Sequence, residues 1–192
     1  MNGLADFHHI EFRVSNALQA SYSYCCCFGF QRFAQRKDDS STSIAIKNGK
    51  VIFVFTSIHF SNKENYEHMV THGDSVKDVA FRVDDLSSLV KRLVNNNVDI
   101  IQAEDVLSEQ EGKISIVKIR VKGSTLIHSL IEDGGYHGLF LPNFVPIDNY
   151  SLCKTLNSER LPMTATYFID NWKEDSLHMS LYIESGFKIT SP

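Results

Sequence analysis

VKDVAFRV at residues 76–83 repeats the pattern of FHHIEFRV at residues 7–14. With an offset of about 69 positions, Phe12-Arg13-Val14 falls on Phe81-Arg82-Val83, and a helical pattern follows each copy. The chain therefore reads as two copies of one supersecondary unit.

In the first copy Phe7, His9 and Glu11 alternate with His8, Ile10 and Phe12, which is strand periodicity with apolar residues on both faces. Ser15 or Asn16 stands where a side-chain oxygen caps the next helix, and Leu18, Tyr22, Cys25 and Cys26 recur at helical spacing. Gly29 suits the left-handed end of that helix. Residues 30–35, 42–47 and 50–56 are β-rich runs. A polar Asp38-Asp39-Ser40-Ser41 turn separates the first two, and the hairpin dipeptide Asn48-Gly49 separates the last two. Residues 59–75 are polar with scattered aromatics and read as a connecting loop closed by Gly73-Asp74.

The second copy repeats that order. Residues 76–83 form a strand, Asp84 or Asp85 a cap, and Leu86, Leu89, Val90 and Leu93 the apolar stripe of a helix ending near Asn95-Asn96-Asn97. Strands follow at residues 100–106, 114–121 and 125–131, with Gly112 and Gly123 in the reversals between them. The expected class is α+β, with tandem βαβββ modules at about residues 7–57 and 76–132 inside a two-module domain of residues 1–146. Residues 147–163 read as a polar linker. Residues 164–192 read as the incomplete start of a third module, with a strand at 164–170, a helix at 174–184, and Gly186-Phe187 echoing Gly29-Phe30.

Composition bounds the function. A chain of 192 residues that is 43% hydrophobic and 22% charged can bury a core. Its 19 basic and 23 acidic residues are interspersed, so no basic patch suggests nucleic acid or an anionic membrane, and a small molecule or a protein is the expected partner. The first residues lack the pattern of a signal peptide, and no apolar run reaches the roughly 20 residues of a membrane span, so a cytoplasmic location is expected. Cys25, Cys26 and Cys27 are consecutive and Cys153 is remote, a spacing that suits reduced thiols rather than disulfides or zinc.

Tandem βαβββ modules resemble the vicinal oxygen chelate, or glyoxalase-like, superfamily, in which a curved mixed sheet surrounds a cavity and the helices lie outside. Five stretches between Phe7 and Phe144 go further. FHHIEFRVSNALQASYSYCCCFGF, NGKVIFVF, THGDSVKDVAFRV, EGKISIVKI and GGYHGLFLPNF resemble, in that order, the amino-terminal domain of 4-hydroxyphenylpyruvate dioxygenase. The resemblance implies a family of non-haem iron(II) enzymes that convert 4-hydroxyphenylpyruvate to homogentisate in tyrosine breakdown, with iron held by two histidines and one carboxylate.

The family's three ligands lie in the carboxy-terminal domain. The first belongs to the opening strand of the third module, which corresponds here to about residues 164–167 in MTATYFIDN, where there is no histidine; the later ones fall beyond Pro192. The resemblance therefore assigns no residue of this chain a catalytic, cofactor-binding or metal-binding role, and no cofactor is expected for it. The leading expectation is an amino-terminal half, shortened or without its catalytic domain and inactive alone, that serves assembly with a second copy or with a catalytic-domain partner.

A rival expectation comes from shorter superfamily members, which use first-strand and last-strand positions for a metal. The repeat sets His9 beside Asp78, with Ser129 or its neighbour His128 on the last strand. That set suggests a small stand-alone metal-dependent enzyme, or a metal-free protein holding a small aromatic or apolar ligand. The structural alternative makes His8, His9 and His128 strand histidines bonded to neighbours, and Asp78 the occupant of a polar slot. Glu67, His68, His72 and His137 are expected to face solvent. No phosphate cradle, Ser-His-Asp order or activated thiol appears in the sequence.

Overall fold

A computed structural model describes residues 4–59, 63–121 and 123–147. In chain order its elements are β1 (Leu4–Arg13), α1 (Ala17–Phe28), β2 (Gln31–Lys37), β3 (Ser41–Asn48), β4 (Val51–Ile58), α2 (Lys63–His72), β5 (Ser75–Val83), α3 (Leu86–Asn95), β6 (Ile100–Glu109), β7 (Gly112–Arg120), β8 (Ile127–Asp133) and β9 (Val145–Pro146). The βαβββ order thus occurs twice, as β1-α1-β2-β3-β4 and as β5-α3-β6-β7-β8. The expected linker after Ile147 and the third-module start lie outside the described residues.

The chain divides into two compact units. One holds His9–Lys77 and the described residues from Leu139 onward; the other holds Asp78–Gly138 and the start of the chain through His8. In the first unit the strand order is β1-β4-β3-β2-β9, with β1 parallel to β4 and the remaining pairs antiparallel. In the second it is β6-β7-β8-β5, with β5 parallel to β8. A parallel pair needs a long crossover, which the helix and hairpins of each module supply.

Of the two capping candidates for α1, Asn16 caps it, accepting from the Gln19 backbone N–H at 3.0 Å. Ser15 instead donates through its backbone N–H and its hydroxyl to Asp74, at 2.7 and 2.9 Å. Gly29 ends the helix in the left-handed region, φ 71°. The buried face of α1 is Ala17, Ser21 and Cys25, whereas Leu18 is 49% exposed. The stripe expected from hydropathy was therefore displaced by one residue, because small side chains let the helix approach the sheet and the Ser21 hydroxyl is satisfied by the Leu18 carbonyl at 2.8 Å.

The hairpin is also shifted by one residue. Asn48 pairs with Val51, so Gly49, φ 59°, takes the first central position and Asn48 belongs to β3. Its side-chain amide donates to the Phe28 carbonyl at 3.0 Å and so satisfies the end of α1. At the other reversal Asp38 accepts from the hydroxyl and backbone N–H of Ser40 and from Ser41, and these bonds, the Ser40 hydroxyl first, hold its carboxyl down at about 2.

Residues 63–72, expected to be part of a loop, form α2. The sequence KENYEHMVTH is polar on most sides, so no apolar stripe announced it, but Lys, Glu and Met are good helix formers.

In the second unit Asp85 caps α3 through the Ser88 N–H at 2.9 Å, and Leu86, Leu89 and Leu93 are buried as the stripe requires. Gly112 opens β7 with φ 122°, and a Cβ there would lie 2.7 Å from the Gly135 carbonyl oxygen and 3.0 Å from the Tyr136 Cα. Both neighbours are backbone, so Gly112→Ala is expected to lose about 2–3 kcal/mol of stability. Urea unfolding checks this; a loss under about 0.5 kcal/mol would mean that the two segments do not approach as described.

Candidate functional site

The first unit's sheet has two differently furnished faces. Toward α1 it presents Phe12, Phe30, Ile44, Ile46, Phe53 and Phe55, packed with Val14, Ala17 and Cys25. On the other face lie Ala34, Ala45 and Val54, covered by Phe140 and Phe144. The covering segment is locally built for the task. Leu141-Pro142-Asn143-Phe144 closes with the Phe144 N–H donating to the Leu141 carbonyl at 3.1 Å, proline at the first central position and Asn143 at φ 67° at the second, a type II turn. Val145 and Pro146 then pair with Gln35 and Ala34 at the β2 edge.

A one-residue irregularity in β2 between Arg32 and Ala34 serves both faces. Arg32 pairs with Ile46 and is buried over the Tyr22 ring of α1, 4.1 Å from its centroid. Ala34 pairs with Ala45 on the opposite side, and the Phe33 ring meets Phe140 at 5.5 Å.

His9 projects to this second face. It is buried, and its ring meets Phe140 edge-on at 5.4 Å between centroids. The cover over His9 comes from the GLFLPNF segment of the sequence.

The second unit holds the other two candidates. Asp78, buried at 4% exposure, accepts from the Ser129 backbone N–H at 2.9 Å and from the Ser129 hydroxyl. His128, buried beside it in sequence, shares a hydrogen bond between Nδ1 and the Val79 carbonyl at 3.0 Å, and its ring packs against Phe81 at 5.2 Å. In the parallel register Asp78 sits opposite Ile127 and Phe81 opposite Leu130. Side chains alternate between faces, so Asp78 and Ser129 share one face while His128 and Phe81 share the other. A facial triad requires its donors to meet at one point. Asp78 and His128 diverge from that geometry, and the donor set does not fit iron. Among the described residues no group of three or more His, Cys, Asp or Glu side chains is placed to hold a metal ion.

The remaining histidines behave unequally. His137 and His72 are exposed, as is Glu67, but His68 is partly buried and Nε2 lies 3.2 Å from the Ser75 hydroxyl. Burial, then the nearby Lys77, His72 and Arg13, push the His68 pKa below the ordinary histidine value. The expectation that His68 faces solvent is thus corrected, because α2 folds it back toward β5.

Tyr136 and Gly138 show how part of the matched GGYHGLFLPNF stretch works. A Cβ on Gly138 would overlap the Tyr136 ring, so glycine lets the ring fold back and donate its hydroxyl to Glu109 at 3.0 Å. Burial and then the Glu109 carboxylate raise the Tyr136 pKa to about 12. A raised tyrosine pKa stabilises the fold below about pH 10 and is lost as pH climbs through about 12. Ultraviolet titration of the phenols is expected to show Gly138→Ala returning this tyrosine toward about 10, and an unchanged titration would contradict the contact.

No family model matches the chain. 4-Hydroxyphenylpyruvate dioxygenase from Caenorhabditis briggsae is 40% identical over 148 residues, covering 74% of this chain and 37% of that protein. The chain spans less than half the length of the curated relatives it matches first. Among solved structures, a variant of 4-hydroxymandelate synthase from Streptomyces coelicolor aligns with a TM-score of 0.66 at 20% identity, over 83% of this chain and 45% of that one. Methylmalonyl-CoA epimerase from Mycobacterium tuberculosis aligns with a TM-score of 0.58 at 15% identity, over 69% of this chain and 90% of that one. No helix among the described residues is long and apolar enough to cross a membrane. By sequence and by fold, the chain is a relative of the 4-hydroxyphenylpyruvate dioxygenase family built on the vicinal oxygen chelate architecture.

Proposed function

We propose that this chain corresponds to the amino-terminal half of the family enzyme and serves as a non-catalytic scaffold that supports assembly with a second copy or with a chain carrying the catalytic domain. The observation that carries this reading is the state of the would-be ligands. Asp78 is closed off by Ser129, and His128 is turned to the opposite face. His9 is packed under Phe140. Each is used as a structural element. The chain needs no cofactor for that role and takes no part in homogentisate formation by itself.

The test is product formation. The purified chain, supplied with iron(II), oxygen and 4-hydroxyphenylpyruvate, is expected to release no homogentisate. Turnover that survives Asp78→Ala and His9→Ala would place a catalytic site elsewhere in the chain, and turnover that either substitution abolishes would restore the metal-dependent reading. Both outcomes overturn the scaffold proposal.

A further inference from the structure

On the first unit's face turned away from α1, register places four polar residues in one row across four strands. Arg36 of β2 pairs with Ser43 of β3, Ser43 with Thr56 of β4, and Thr56 with Arg13 of β1. Directly paired residues share a face, and the assignment agrees with the packing. Ile44, Phe55, Phe12 and Val14, the neighbours in sequence, belong to the α1 side. The next row toward Phe140 on the same face is Ala34, Ala45 and Val54, with Glu11 at its β1 end. A polar row at the border of an apolar face calls for a partner.

Its groups are almost all donors. Ser43 and Thr56 are buried and their hydroxyl oxygens lie 2.9 Å apart, so one hydroxyl donates to the other and a second hydroxyl hydrogen remains for an acceptor. The Nε atoms of Arg13 and Arg36 are buried and have no hydrogen-bond partner among the described residues. A buried donor without an acceptor costs about 1–3 kcal/mol, and native proteins fill such places with water or an ion. Arg36 is held over the Phe144 ring at 5.2 Å, and Arg13 has a long ion pair with Glu11 at 3.7 Å. Arg13 and Lys77 both lie near enough to His68 to act on its charge. The row spans roughly three inter-strand spacings, about 14 Å between the outer Cα atoms, with the hydroxyl pair set between an arginine at either end.

We propose that the row Arg36, Ser43, Thr56 and Arg13 is a binding site for a small oxyanion, a carboxylate or a phosphate, held by the two guanidinium groups above the hydroxyl pair. Guanidinium donors suit planar and tetrahedral oxyanions, and their charge excludes a cation there. The row shares its face with His9 and Phe140, and the scaffold reading gives the row itself no role.

The test uses the full chain labelled with nitrogen-15 and follows the arginine Nε–Hε signals while inorganic phosphate or acetate is added at constant ionic strength. The Arg13 and Arg36 signals are expected to move together and to saturate. Arg36→Met is expected to weaken the response at Arg13, and Arg13→Met that at Arg36, by about tenfold or more. Arg36→Lys keeps the charge without the fork and is expected to weaken binding as well, whereas Arg120→Met in the other unit leaves it unchanged. The His68 titration should move upward when the anion is bound, since a negative charge offsets Arg13 and Lys77. Response to phosphate alone assigns the site to phosphate compounds, and response to both assigns it to carboxylates as well. No saturable movement with either anion, or movement that persists in Arg36→Met, overturns the proposal.

Discussion

Replacing Phe140 by alanine is expected to destabilise the protein by about 3–5 kcal/mol, the range found for buried phenylalanines whose site cannot collapse. Collapse is blocked here by what lies beneath. Ala34 and Ala45 are fully buried and too short to follow a retreating wall, and both sit on a hydrogen-bonded sheet. The ring also contacts three others, His9 at 5.4 Å, Phe33 at 5.5 Å and Phe144 at 5.0 Å, in edge-on arrangements that add to the area term. The loss would propagate to the β2 edge, because the pairing of Val145 and Pro146 depends on the same turn. Urea unfolding measures the loss. A change below about 1 kcal/mol would show that the segment after Leu139 does not cover the sheet as described.

Asp78→Ala is expected to cost about 2–4 kcal/mol, through two buried donors left without their acceptor, each worth about 1–3 kcal/mol. The donors are the Ser129 backbone N–H and the Ser129 hydroxyl. The hydroxyl can rotate toward another acceptor; the backbone N–H is fixed by β8. Asp78→Asn retains one acceptor oxygen and should lose less. The comparison separates two roles of one carboxylate. A structural Asp78 gives a stability loss graded from Asn to Ala with no change in metal content, whereas a metal ligand gives loss of metal in both variants.

Much of the architecture was legible because local signals agree with one another. The repeated strand pattern around Phe12 and Phe81, the caps at Asn16 and Asp85, and the leucines of α3 each carry their own periodicity or turn chemistry. Legibility failed where a residue's role depends on a distant segment. Ala17 and Ser21 replace Leu18 on the buried face of α1 because the sheet demands close approach, which hydropathy does not report. Asn48 looked like a turn residue and is a cap for a helix twenty residues earlier. The polar helix α2 carries no stripe to read.

The same limit governed the candidate site. His9, Asp78 and His128 were found as residue types at repeat-related positions, with Ser129 or His128 as alternatives on the last strand; the folded register bonds Ser129 to Asp78. What alternation could not supply was the arrival of Phe140 over His9, since those residues are 131 positions apart and meet only in the folded first unit. Likewise Arg13 and Arg36 become one row only once the register of three strand pairs is known. The scaffold reading and the anion site both rest on such long-range placement.

The most direct measurement is metal content per chain after iron(II) loading under anaerobic conditions and removal of excess metal, in the unaltered protein and in His9→Ala and Asp78→Ala. Iron far below one per chain, the same in all three proteins, is expected if these side chains serve the fold. Iron near one per chain, lost on substituting His9 or Asp78, would contradict it and would show that the two residues are brought together on a metal after all.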